Sequence, residues 1–145
     1  MSQLLPSLVE LDQHAQAEPE FATWRGGFGP FEHALETQAA VFRLAHQLVQ
    51  AGHQPDLASV YRLLQAVDRV ASAGLWLVVH MTYAQRVRLD GQPLQAEDFK
   101  PVPEGHTGGA LNMVPAYAGY LALNALTAET RGWLMGQGHC VAAIE

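Results

Sequence analysis

Residues 57–86 read LASVYRLLQAVDRVASAGLWLVVHMTYAQR, and this stretch decides the fold class of the chain. In its first half the apolar residues recur at helical spacing, which predicts an amphipathic helix. The second half contains Leu75–Val79, which is apolar on every side and is typical of a segment buried all round. A buried strand is the alternative there, but we expect the helix to continue to about Arg86. Asp56 directly precedes the helix and is a credible N-cap.

Two further helices are predicted on either side of that stretch. Phe31–Gln50 has apolar residues at helical spacing, with Pro30 suited to its first turn and Gly52 suited to its end. Ala110–Leu126 has a helical pattern as well. Residues 88–109 contain three prolines and predict a long loop, which in a compact domain is usually functional or a linker.

The C-terminal part of the sequence carries the one strand that we predict. The segment Arg131–Gly136 favours a short parallel strand near 132–136, so the fold class is α/β with helices dominating. A tight turn and a new apolar helix from Cys140 should follow, and that pattern runs to the last residue without a cap. We therefore expect an N-terminal extension and loop over 1–29, and a domain over 30–145 that is truncated at its C-terminus.

The composition argues against several classes of function. Apolar residues make up 49% of the 145 residues and charged residues 15%, which favours a packed core over disorder. The net charge is −6 and no basic cluster occurs, which argues against nucleic-acid binding. The single cysteine excludes an internal disulfide framework and favours a reducing compartment. No signal peptide or membrane-spanning apolar run is found, so we expect a cytoplasmic protein without a membrane partner.

Two Gly-His turns are the candidate carriers of chemistry: GHTGG at residues 105–109 and GQGH at 136–139. Glycines let a ligand approach the backbone, and a following helix offers free N–H groups to an anion. A histidine there can donate to phosphate or move a proton near neutral pH. Each turn taken alone is better explained as a structural turn, but the pair favours a functional site. A zinc site from His106, His139 and a carboxylate matches no ligand template, so we predict no metal ligand in this chain.

The other candidate residues have a structural interpretation beside the functional one. His80 lies in a very apolar segment and is either a satisfied core histidine or the wall of a pocket. Residues 24–29 are a glycine-rich loop that could bind an anion, but they lack the Lys and Ser/Thr of a P-loop, so an aromatic-anchored turn is preferred. Three more histidines fit positions on helix surfaces: His33, His46 and His53.

The two turns, in this order, resemble the beginning of a thiamine-diphosphate-dependent enzyme of the phosphoketolase and transketolase group. GHTGGALN at 105–112 resembles the Gly-His-x-Gly segment of both families, and GQGH at 136–139 resembles the Gly-Pro-Gly-His of phosphoketolases. QPL at 92–94 and EDFKP at 97–101 resemble phosphoketolases specifically. The resemblance covers roughly residues 75–145, and nothing in residues 1–70 contributes to it.

The resemblance implies that residues 30–145 are the helix-rich start of a thiamine-diphosphate-binding, transketolase-like domain. It implies a cytoplasmic homodimeric lyase that cleaves a carbon–carbon bond of a ketose phosphate, xylulose 5-phosphate or fructose 6-phosphate. Its cofactors would be thiamine diphosphate and Mg²⁺, with the metal motif beyond residue 145. By resemblance His106 and His139 would be catalytic, and His80 would line the substrate pocket. The residues that would bind the cofactor are Gly105, His106, Gly108, Gly138 and His139.

Three alternatives stay open. On the same scaffold the enzyme could be a xylulose 5-phosphate 3-epimerase or could carry out transketolase-type transfer. Outside it, the chain could be a non-catalytic helical binding or oligomerisation module whose two turns are merely structural. In the enzyme the rings of His106 and His139 should face one pocket, whereas a module has no such requirement. We expect the 145-residue chain by itself to be inactive, because the resemblance places the metal motif and the pyrimidine-binding domain outside it.

Overall fold

The fold is built almost entirely from helices in the part of the chain that the structure describes. This computed structural model describes residues 6–86, 88, 90, 92–105, 107–134 and 136. The helices are α1 (Leu8–Ala17), α2 (Pro19–Arg25), α3 (Leu35–Gln50), α4 (Leu57–Tyr83) and α5 (Thr107–Thr127), with a 3₁₀ turn at Ala96–Asp98. The prediction that helices dominate is therefore confirmed. None of the helices in the described ranges combines the length and the apolar character needed to cross a membrane.

Helix α4 is the central element, and it packs against α2, α3 and α5. The Asp56 side chain caps it by accepting from the Ser59 backbone N–H at 2.7 Å, as predicted. The helix runs unbroken through Leu75–Val79, so the strand alternative for that segment is wrong. It ends at Tyr83 rather than near Arg86, because Ala84 turns into extended backbone.

The N-terminal helices complete the larger of two buried clusters. The capping box of Ser7 and Glu10 begins α1, and Pro19 occupies the first turn of α2. Their apolar side chains pack with residues of α3, α4 and the C-terminal half of α5. The fully buried members of this cluster with the largest side chains are Leu11, Phe21, Val60 and Tyr61. Burying these side chains stabilises the fold by about 1.5–3 kcal/mol each before entropy is subtracted.

The second buried cluster joins the C-terminal half of α4 to the first half of α5. Its members are Ala71, Val78, Ala110, Val114 and Ala118. Gly74 lets the two helices approach, since a Cβ at that position would lie 2.9 Å from Cγ1 of Val114. The small residues along this contact therefore set the close spacing of α4 and α5.

The two ends of α3 differ in how well the sequence predicts them. Gly52 has a φ of +74° and its N–H donates to the Val49 carbonyl, so the predicted glycine stop is confirmed. The predicted start of α3 at residue 31 is wrong, because the helix begins at Leu35. Pro30 instead lies in a tight turn that is closed by two backbone hydrogen bonds between Phe28 and Phe31, of 3.1 and 3.2 Å. A proline suits a turn as well as a helix start, since its fixed φ serves both.

The parallel strand predicted near 132–136 is not formed at residues 132–134 or 136, and the described part of the chain is helical rather than α/β. The backbone of Arg131 is bonded to side chains of α5 instead. Its N–H donates to Oδ1 of Asn124 at 3.1 Å, and its carbonyl accepts from the hydroxyl of Tyr120. No neighbouring strand lies in the described ranges to pair with this segment, which leaves the side chains of α5 as its partners. The helix predicted from Cys140 falls outside the described residues.

Candidate functional site

The first Gly-His turn lies where the end of α4 meets the start of α5. Gly105 has a φ of +124°, a conformation that L side chains rarely adopt, and a Cβ there would lie 3.5 Å from Oγ1 of Thr82. The chain therefore passes directly over the last turn of α4 before α5 begins at Thr107. Gly108 is exposed, and a Cβ at that position would meet nothing within 4 Å. His106 itself lies outside the described residues.

The start of α5 offers donors to an anion. The first N–H groups of an α-helix have no partner within the helix, and the helix dipole adds a partial positive charge there. Gly108 is exposed, so the backbone at this position can be reached from solvent. The anion site that the sequence predicts at residues 105–109 stays a prediction.

The loop that leads to this turn is tied back onto the end of α4. The Lys100 N–H donates to the Tyr83 carbonyl at 2.8 Å, and the Gln85 N–H donates to the Asp98 carbonyl at 2.7 Å. The Asp98 carboxylate is buried and accepts from the Gln95 N–H and from Arg88, both at 3.0 Å. The Gln95 hydrogen bond, followed by Arg88, lowers the pKa of Asp98 below its ordinary value. The described part of this loop is thus anchored and does not behave as a simple linker.

The second Gly-His turn is described only at its first residue. Gly136 is exposed, while Gly138 and His139 lie outside the described residues. The prediction that His106 and His139 face one pocket therefore stays a prediction.

His80 is both a satisfied core histidine and a pocket wall. It is 7% exposed, its Nδ1 donates to the Trp76 carbonyl at 2.9 Å, and its ring stacks on the Trp76 indole at 3.6 Å between centroids. The ring also lines a groove of about 570 Å³ between α4, α5 and the turn at residues 29–30. The other lining residues are Gly29, Pro30, Ser72, Leu75, Trp76, Val79 and Leu111. Both interpretations given by the sequence hold at once, although the sugar-phosphate substrate remains a prediction.

His33 is not the helix-surface residue that the sequence predicts. It lies before α3, and its Nε2 is 2.9 Å from Oδ2 of Asp68 on α4, with both side chains largely buried. Its ring stacks on Trp24 with centroids 4.1 Å apart. This pair fastens the segment between α2 and α3 onto α4. The sequence carries one signal for it, which is a carboxylate at position 68 within an otherwise apolar helix face.

His14 belongs to an aromatic cluster that sequence reasoning did not find. Its Nε2 lies 2.7 Å from the hydroxyl of Tyr61, and the rings of Phe21, Phe42 and His46 lie within 5.5 Å of its centroid. Burial, and next the charge of His46, lower the pKa of His14 below its ordinary value. Burial also raises the pKa of Tyr61. His46 is exposed, as expected for a helix-surface position, and His53 is exposed in the turn after α3.

The glycine-rich loop at residues 24–29 has no open N–H group at residues 26–28. The N–H groups of Gly26, Gly27 and Phe28 donate to the carbonyls of Ala22, Trp24 and Phe31 at 2.9–3.2 Å. Since these donors are used within the chain, they do not form an anion-binding nest. The geometry agrees with the aromatic-anchored turn.

No group of three or more His, Cys, Asp or Glu side chains that could hold a metal ion occurs among the described residues. Comparison with protein-family models, with curated proteins and with solved structures finds no match to this chain.

Proposed function

We propose that this chain is the N-terminal part of a thiamine-diphosphate-dependent enzyme that cleaves a carbon–carbon bond of a ketose phosphate. The resemblance of residues 105–112 and 136–139 to phosphoketolases and transketolases motivates the proposal. The observation that supports it best is the left-handed Gly105 two residues before the 21-residue helix α5. A glycine turn followed by a helix start is an arrangement that accepts a phosphate group.

The described residues at the start of α5 are compatible with the diphosphate of the cofactor. Gly108 is exposed and its missing side chain leaves open space, so an oxygen of the diphosphate can approach the backbone N–H groups of Thr107 and Gly108. In this proposal Gly105 and Gly138 allow the same close approach at the two turns. The resemblance places the motif for the accompanying Mg²⁺ beyond residue 145.

The two histidines would act on the substrate. A neutral histidine near pH 7 can accept a proton from a hydroxyl, and its protonated form can donate to a phosphate oxygen. We assign these roles to His106 and His139, at the two turns. When bound, thiamine diphosphate supplies the carbanion stabilisation that carbon–carbon cleavage requires, and the protein supplies orientation and electrostatics. As in the resembling enzymes, the active site would lie between two subunits of a cytoplasmic homodimer.

The test uses the natural protein with its whole reading frame. Thiamine diphosphate with Mg²⁺ should bind in calorimetry, and xylulose 5-phosphate should release glyceraldehyde 3-phosphate. His106→Ala and His139→Ala should each abolish that release with an unchanged thermal unfolding midpoint. His53→Ala is the matched control, because His53 is an exposed histidine far along the chain from both turns. Absence of both cofactor binding and turnover of either ketose phosphate would contradict the proposal.

The same assay separates the chemistries that share this scaffold. Release of triose phosphate with inorganic phosphate as the only acceptor indicates a phosphoketolase. Release that requires an aldose phosphate acceptor indicates transketolase-type transfer. Inversion at carbon 3 without any triose phosphate indicates a 3-epimerase.

A helical binding or oligomerisation module is the second candidate, and exposed apolar side chains on α4 and α5 favour it. Surface residues of this kind are Val70, Leu77, Met81, Leu121 and Leu123, each at least 42% exposed. Apolar surface of this kind commonly marks an interface. Self-association in sedimentation velocity without any cofactor binding would support the module over the enzyme.

A further inference from the structure

We propose that the groove lined by His80 and Trp76 is a binding site for a flat, largely apolar molecule with one hydrogen-bond donor, of the indole or phenol class. The groove is formed by described residues of α4, α5 and the turn at residues 29–30. This inference does not depend on the thiamine diphosphate chemistry proposed above. The ligand differs from the sugar phosphate that the resemblance implies near His80.

The polar group that would recognise the donor is Nε2 of His80. A carbonyl oxygen can only accept, so the hydrogen bond to Trp76 requires the proton of the neutral ring to sit on Nδ1. Nε2 then carries the lone pair, and it has no hydrogen-bond partner among the residues that the structure describes. The side chain is more than nine-tenths buried. Nε2 is therefore the ring atom that can accept a hydrogen bond from a ligand donor in the groove.

The walls of the groove select an apolar ligand. No Lys, Arg, Asp or Glu lines it, and the other polar side-chain groups of its lining residues are the hydroxyl of Ser72 and the indole N–H of Trp76. A sugar phosphate placed there would lose its hydration without gaining a paired charge. The Trp76 indole is 41% exposed and offers a flat surface beside the His80 ring. A volume of about 570 Å³ lies in the range typical of small-molecule pockets.

The groove is formed before any ligand binds, because the turn at residues 29–30 on one side of it is held against α4. The turn that carries Gly29 and Pro30 is closed by the hydrogen bonds between Phe28 and Phe31. Gly29 lies so close to Ser72 that no side chain fits between them. On the opposite side, Leu111 belongs to the first turns of α5, which packs along α4. Binding therefore needs little rearrangement of the chain.

The experiment compares indole with 1-methylindole, which has nearly the same shape and no donor. Calorimetric titration of the purified protein should give a dissociation constant for indole about five-fold lower than for 1-methylindole, as one hydrogen bond predicts. Amide resonances of Gly29, Ser72 and Leu111 should shift on binding. In His80→Phe, which keeps the aromatic ring and removes the acceptor, the two dissociation constants should become equal. His53→Phe should keep the five-fold preference.

Two further measurements test the proposal even if the His80→Phe variant does not fold. The wild-type preference for indole over 1-methylindole needs no variant at all. Val79→Trp should abolish binding of both molecules, because Val79 lines the groove and is 37% exposed, so its larger replacement can occupy the groove. No saturable binding at millimolar indole, equal affinity of the two molecules for the wild-type protein, or shifts confined to residues outside the groove would each overturn the proposal.

Discussion

The backbone of Gly29 lies against the side chain of Ser72, so that a Cβ at position 29 would be only 2.1 Å from the Ser72 hydroxyl oxygen. Gly29 also has a φ of +59°. This close contact holds the turn between α2 and α3 against the middle of α4. It also fixes one rim of the groove at His80.

Gly29→Ala should therefore destabilise the protein strongly. The left-handed backbone disfavours any Cβ, and the overlap with Ser72 adds an overpacking cost, so we expect a loss of about 2–4 kcal/mol in the free energy of unfolding. Gly52→Ala is the matched control, because Gly52 has a φ of +74° but nothing within 4 Å of a Cβ. It should lose only about 1 kcal/mol. Urea unfolding measures both, and equal losses in the two variants would show that Ser72 is not in contact.

Asp68→Ala should loosen the segment before α3. The variant leaves His33 without the partner that lies 2.9 Å away, and both side chains are largely buried, so we expect a loss of about 2 kcal/mol. The fluorescence of Trp24 should change, since the His33 ring stacks on that indole. Asp12→Ala is the control, because its ion pair with Arg25 is half exposed and should contribute less than about 1 kcal/mol. An unchanged midpoint and emission spectrum in Asp68→Ala would contradict the anchoring role.

The elements that the sequence predicts well are those with local causes. The course of α4 follows from its apolar periodicity, and its N-cap and the glycine stop of α3 follow from single residues at the helix ends. The predicted strand failed because an apolar run does not say whether a neighbouring strand exists. Its segment is bonded instead to Tyr120 and Asn124.

The same distinction between local and long-range causes applies to the site residues. The left-handed glycine at 105 and the buried position of His80 follow from residues close in the sequence. The partners of His33 and His14 are 35 and 47 residues away, so no local pattern could identify them. Only the packing of α1 and of the segment before α3 against α4 brings those side chains together.

The loop between α4 and α5 should lose its anchor in Asp98→Ala. The carboxylate accepts from the Gln95 N–H and from Arg88, and those donors would be left without it. We expect faster cleavage by a protease within residues 86–95, while the far-ultraviolet circular dichroism of the helices stays unchanged. Glu97→Ala, next to it in the sequence but exposed, is the control. Equal cleavage rates in both variants would show that Asp98 does not hold the loop.

The stability of the protein should fall as the pH drops from about 7.5 to 5.5, with His14 as one cause. Burial and the neighbouring His46 lower the pKa of His14 in the folded state, below the value of 6.5 that an unfolded chain would have. The unfolded chain therefore binds the proton first, and the free energy of unfolding decreases as the pH falls through 6.5 toward the lower folded value. The other titratable groups near the ring are Tyr61, which is uncharged in this range, and Glu18, which acts on Tyr61.

His14→Phe should make this pH dependence shallower, because it removes the titrating group and keeps an aromatic ring in the cluster. His46→Gln should do so to a smaller degree, since it removes only the second cause of the shift. Urea midpoints at pH 7.5 and 5.5 measure the difference for each protein, and exposed His53→Gln should keep the wild-type difference. A wild-type pH dependence in His14→Phe would mean that the ring of His14 is not buried against Tyr61 and Phe42 in solution, and that α1 is not packed on α3 and α4 there.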